Sequence, residues 1–224
     1  LEHSIKQYDE LLKKNIELIK QNENLLYALA LILPGGFILL GYLLFDKNQR
    51  LIREAKKYIG QEEIDGNKGF INSEFQTLMH EYGGYNKGEE WCMRFASMIY
   101  EIKLGKNSRY ATSLEYCLTG STQTSFQRFK DYKEGYFKVS QTPSKGAIVI
   151  WCKSRGGVCV DWKGHAGIVQ KVTADGFETI EGNVNYDDNG NFISEGIVAE
   201  RSYNLQKEIK RTDGNRLKGF IKLI

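Results

Sequence analysis

Strands dominate this chain from Gly135 to its C-terminus, and that restricts the fold more than any other feature of the sequence. Tyr136–Val139 is a candidate strand. Pro143-Ser144-Lys145-Gly146 is a turn, and Ala147–Trp151 reads as a buried strand by its length and β-branching. Cys159–Trp162 is placed to pair back on it. Gly164-His165 then opens a strand over Ala166–Val172, and an Asp175-Gly176 turn leads into Phe177–Glu181. Gly196–Ala199 and Gly219–Ile224 complete the set. Short strands joined by tight turns imply an antiparallel sheet.

Helices come first. Gly60, Gly66 and Gly69 mark loops, and residues 70–80 read as a short helix with Ile71, Phe75, Leu78 and Met79 as its apolar stripe. Gly83-Gly84 ends it. A second helix begins at Cys92, with Phe95, Ala96, Ile99 and Ile102 on one face with it, and stops at Gly105. Residues 114–132 read as helical or mixed, with Ser and Thr interrupting. Helices followed by antiparallel strands place residues 61–224 in the α+β class.

The N-terminal part has a different texture. Residues 25–45 contain no charged side chain, and at ~1.5 Å per residue they extend ~31 Å, close to the ~30 Å hydrocarbon core of a membrane. The acidic residues before them and the lack of a small-x-small site argue against a cleaved signal. An uncleaved membrane anchor is expected. Pro34-Gly35-Gly36 at its centre makes a kinked span, a re-entrant segment, or a plug in an apolar protein assembly the alternatives. Lys6, Lys13, Lys14 and Lys20 on one side balance Lys47, Arg50, Arg53, Lys56 and Lys57 on the other, so orientation is not legible. Residues 1–24 read as an amphipathic helix through Ile5, Tyr8, Leu12, Ile16 and Ile19, suited to self-association or a partner helix. Residues 46–60, with Leu51, Ala55 and Ile59 four apart, read as a helical stalk.

The net charge of +3 is mild and the basic residues are interleaved with acidic ones, so no nucleic-acid surface is expected. Four cysteines, Cys92, Cys117, Cys152 and Cys159, form no C-x-x-C pair, so no zinc site or other cofactor is expected. Cys152 and Cys159 are near enough to meet across a hairpin, but two reduced thiols are the favoured reading.

Three runs carry chemistry: Trp91-Cys92-Met93-Arg94-Phe95-Ala96, Gly164-His165-Ala166-Gly167-Ile168-Val169, and Thr179-Ile180-Glu181-Gly182-Asn183. A thiol at a helix N-terminus meets a partial positive charge that favours the thiolate, and unpaired N–H groups there suit a developing oxyanion. Glycines around His165 permit close backbone approach. A hairpin between Val169 and Phe177 would bring Glu181 and Asn183 beside His165, and either side chain is able to orient the imidazole. The set suits a cysteine nucleophile acting on amide bonds.

These runs, with Lys-Gly-Ala-Ile-Val-Ile-Trp at 145–151, resemble the CHAP family (cysteine, histidine-dependent amidohydrolases and peptidases) over roughly Gln61 to Ile224. The resemblance implies a papain-like domain, with N-terminal helices packed on an antiparallel sheet, that hydrolyses amide bonds of peptidoglycan. It implies Cys92 as nucleophile, His165 as base, Glu181 as the residue that orients the imidazole, and Asn183 as a fourth polar member. Two positions depart from the pattern. Trp91 stands where Gln often precedes the cysteine as an oxyanion donor, and Ala147 stands where Asp often follows the glycine. A domain that keeps the fold as a silent structural or binding module of an envelope or virion is the alternative function. Three settings fit the anchor: a bacterial envelope enzyme, a phage lysin, and a phage particle component.

Overall fold

A computed structural model describes residues 47–105, 108–132, 135–186, 189 and 191–224. The chain divides into two units, Leu1–Asp46 and Lys47–Ile224. The expected amphipathic helix 1–24 and apolar segment 25–45 lie outside the described residues. Among the described residues no helix is long and apolar enough to cross a membrane.

Helix α1, described over residues 47–56, is not a stalk. Leu51 and Ala55 are fully buried in the main core, joined by Ile52. The four-residue spacing seen in the sequence is therefore a packing face of the domain itself, although Ile59 beyond it is exposed. Glu54 lies buried on this helix. Burial alone would raise its carboxyl pKa, but Lys103 at 2.6 Å, Lys57 at 2.8 Å and the Tyr58 hydroxyl at 2.9 Å reverse the sign and lower it.

Helix α2, Ser73–Glu81, starts later than expected because Asn72 caps it, its side chain accepting from the backbone N–H groups of Glu74 and Phe75. Ile71 consequently precedes the helix and is exposed rather than part of its stripe. Helix α3, Cys92–Leu104, ends at Gly105, whose φ of 75° is left-handed. It is buried on most sides, with Met93, Ser97, Met98 and Tyr100 covered as well as the expected face. The mixed stretch resolves into α4, Ala111–Cys117, and α5, Thr122–Asp131, divided where the Ser121 hydroxyl caps α5.

Among the described residues six strands follow: β1 Phe137–Ser140, β2 Ile148–Arg155, β3 Val158–Val172, β4 Gly176–Tyr186, β5 Phe192–Asn204 and β6 Gly214–Leu223. All pairings are antiparallel, in the order β1-β6-β2-β3-β4-β5. The two strands expected at 159–162 and 166–172 are one 15-residue strand, so His165 sits in mid-strand and does not open one. A short helix α6, Leu205–Lys210, which the sequence reading does not contain, precedes β6.

The two faces of the sheet are read off by alternation. Ile148, Ile150, Ala166, Ile168 and Ile180 pack with the helices in the main core. Ala147, Val149, Trp151, Val169 and Phe177 form a second cluster with Leu217 and Phe220, partly covered by Tyr203, Leu205 and Ile209. Residues 60–63 run along β5, with Gly60 N–H donating to Val198 O and Glu63 N–H to Gly196 O, each at 2.9 Å.

Cys152 and Cys159 form a disulfide, with Cα atoms 5.5 Å apart, contrary to the expectation of two free thiols. A register shift on β2 between Cys152 and Ser154 brings them diagonally together. Closing so short a loop contributes about 2 kcal/mol by restricting the unfolded chain.

Candidate active site

Helix α3 packs on β3 and β4, and its first turn carries Cys92. The approach is close because Gly182 has no side chain. A Cβ there would lie 2.6 Å from the Trp91 ring and 2.8 Å from Phe95 Cβ. Cys92 is buried, and it lines a cleft of about 460 Å³ together with His165, Glu181, Asn183 and Tyr203.

His165 and Glu181 meet through a second missing side chain. Ile168 pairs with Ile180, which sets Gly167 opposite Glu181. Residues 165 and 167 share one face of β3. A Cβ on Gly167 would come within 2.5 Å of Glu181 Cγ, so the glycine leaves the passage along which the Glu181 side chain reaches the imidazole. His165 Nε2 and Glu181 Oε2 are 2.8 Å apart, with the histidine side chain 16% and the glutamate 1% exposed. Gly164 is equally constrained, since a Cβ would strike Trp151 O.

With Nε2 committed to the carboxylate, Nδ1 is the ring nitrogen left to exchange a proton with the thiol. Burial of the ring opposes its charged form. Hydrogen bonding and charge attraction from Cys92 and Glu181 outweigh that and push the imidazole up to about 10. The sign of the linkage follows. Against an ordinary histidine value of about 6.5, the raised value contributes stability in full below about pH 6.5 and loses it as pH rises through about 10. Any reaction at this cleft that needs a protonated imidazole to release an amine is expected to fall as pH rises through about 10. Alkylation of the thiol needs no such proton and should persist there. A pH–rate profile run alongside iodoacetamide labelling checks this, and parallel loss of both would contradict it.

Asn183 does not orient the ring. Its backbone is left-handed, with φ 61°, and its side-chain amide donates to Glu90 in the loop that leads into Cys92. It ties β4 to that loop and lines the cleft. Trp91 is fully buried, and its indole N–H donates to Glu63 Oε2 at 2.5 Å while Phe70 packs edge-on against it at 4.9 Å. This side chain is committed to the core and is turned away from any oxyanion role.

Cys117, the other free thiol, is buried and pushed up to about 11 by desolvation, which suits a packing role. His80 bonds through Nδ1 to Tyr85 O at 3.1 Å, on helix α2 rather than in the cleft. Two parts of the site escape sequence reasoning. Trp151 pairs with His165 across the sheet, their rings 5.7 Å apart, and its indole N–H donates to the buried Glu208 at 2.9 Å. Burial pushes the Glu208 carboxyl up, offset by Arg211. Thr179 and Tyr203 both donate hydroxyl hydrogen bonds to Glu181. Thr179 was within reach of strand alternation, two residues from Glu181; Tyr203 has no local signal.

Residues 83–183 match the family model of the CHAP domain. No curated protein and no solved structure matches the chain.

Proposed function

Taking residues 83–183 as a CHAP domain, we propose that this chain is a peptidoglycan hydrolase that cleaves an amide bond of the peptide stem, or its link to the sugar, through Cys92, His165 and Glu181. The observation that carries the reading is the relay itself. A thiol at a helix N-terminus and an imidazole share one cleft, and a buried carboxylate holds the imidazole's far nitrogen at 2.8 Å.

In the first half of the reaction the Cys92 sulfur attacks the amide carbonyl, its proton having passed to His165 Nδ1. Negative charge develops on the carbonyl oxygen. Backbone N–H groups of the first turn of α3 lack helical acceptors and receive it. His165 then gives its proton to the departing amine, leaving a thioester on Cys92. In the second half water, deprotonated by the same imidazole, attacks the thioester and releases the acid with the free thiol. Throughout, Glu181 holds Nε2–H and fixes the tautomer. Asn183 serves by anchoring the Glu90 loop rather than by touching the ring.

The place of action that fits is the wall-facing side of a membrane or a phage particle. The Cys152–Cys159 disulfide favours an oxidising compartment, and residues 25–45 supply the apolar segment for tethering to a membrane or an assembly. The purified chain is to be incubated with isolated peptidoglycan and the soluble products analysed by mass spectrometry. New amine and carboxyl termini at one defined amide are the expected outcome. An unchanged wall, in the presence of a free Cys92 thiol, would instead favour a silent binding module.

A further inference from the structure

Glu181 is a terminal carboxylate on a rotatable bond, and its value to His165 depends on which oxygen it presents and at what angle. Both oxygens are engaged from behind. Thr179, fully buried and two residues earlier on β4, donates its hydroxyl to Oε1. Tyr203, on β5 beside Phe177, donates its hydroxyl to Oε2 at 3.1 Å, the same oxygen that meets His165 Nε2 at 2.8 Å.

We propose that Tyr203, with Thr179, is a positioning residue of the hydrolytic site, fixing the plane of the Glu181 carboxylate so that His165 is held at one angle to Cys92. The idea rests on the functional reading given above.

Three observations support it. The Tyr203 ring is clamped, 4.9 Å from the Trp151 ring and 5.5 Å from that of Phe177, so its hydroxyl has little freedom to turn away. Trp151 also lies against His165, so one aromatic stack sets both the ring that receives the proton and the phenol behind its carboxylate. Burial holds the phenol well above its usual value, with the Glu181 charge adding to the effect, so it stays a donor. Oε2 thus shares its negative charge between two donors, and Oε1 is occupied by a third. The Glu181 side chain cannot rotate without breaking two hydroxyl bonds.

Tyr203→Phe keeps the ring and removes only the donor. It is expected to lower kcat about tenfold, the order a hydrogen bond to a charged group supplies, with KM nearly unchanged and a fall of a few degrees in melting temperature. In a Glu181→Gln background the same change is expected to cost nothing further, because the group through which it acts is gone. Thr179→Val, at a position closed to substrate, should repeat the pattern and serves if the tyrosine variant misfolds. Independent, additive losses would overturn the proposal. So would a raised KM at unchanged kcat, which would make Tyr203 a substrate contact. A Glu181→Gln chain as active as the parent would also overturn the proposal, because the carboxylate through which Tyr203 acts would not matter, whereas a parent chain inert on peptidoglycan would overturn the hydrolytic reading itself.

Discussion

A Cys92→Ala chain is expected to leave peptidoglycan intact. On the proposed mechanism, deleting the nucleophile from a coupled site of this kind costs ~10⁵-fold or more in kcat, about 7 kcal/mol of barrier. No other thiol among the described residues is able to substitute. Cys117 is buried with its pKa raised to about 11, and Cys152 and Cys159 are bonded to each other. The fold should survive, because the side chain is small and hangs from the first residue of a helix whose core contacts come from Met93, Phe95 and Ala96. Turbidity clearing and a thermal melt together give the readout. A variant that melts like the parent and still clears wall suspensions would remove Cys92 from the chemistry.

Gly182→Ala is expected to do the next most harm, without touching any reacting atom. The added methyl would meet the Trp91 ring and Phe95 Cβ well inside contact distance. Neither side can yield cheaply, since Trp91 is fixed by Glu63 and by edge contact with Phe70, and Phe95 is fully buried. Helix α3 must therefore move away from β4. Overpacking of this sort costs about 1–3 kcal/mol, a fall of several degrees in melting temperature. The larger effect is on rate. A displacement of about 1 Å between thiol and imidazole is worth ~100-fold. Circular dichroism melts and kcat measured on soluble wall fragments test both parts. Parent-like values for both would show that α3 does not depend on that glycine.

Much of this arrangement is written in local sequence. Helix α3 is legible because Gly105 ends it and the apolar spacing from Cys92 onward is helical. That β3 and β4 return beside each other is legible from the Asp175-Gly176 turn, but the facing of His165 and Glu181 depends on a register shift between Val169 and Lys171, without which Gly167 would lie opposite Gly182. Other features depend on distant contacts and are not. Residues 47–56 pass for a stalk because the spacing of an apolar face says nothing about what covers it; here the cover includes the main core and an ion pair from Glu54 to Lys103. The disulfide depends on a register shift in β2. Tyr203 reaches Glu181 only because β5 pairs with β4. Asn183 carries the right chemistry for orienting a histidine, but its left-handed backbone turns the amide toward Glu90.

The strand order has a consequence for anyone who would move this site into another protein. The last strand, β6, lies between β1 and β2, and β5 shields the far side of β4. A graft limited to residues 83–183 would carry the thiol, the imidazole and the carboxylate, yet it would leave β2 with an open flank and β1 without a neighbour. Residues 60–63, which shield β5 in turn, would be missing too. Bare strand edges of that kind recruit other chains. The smallest transplantable unit is therefore the whole of 47–224, because the cleft depends on β6 for the flank of β2 and on β5 for both the edge of β4 and Tyr203.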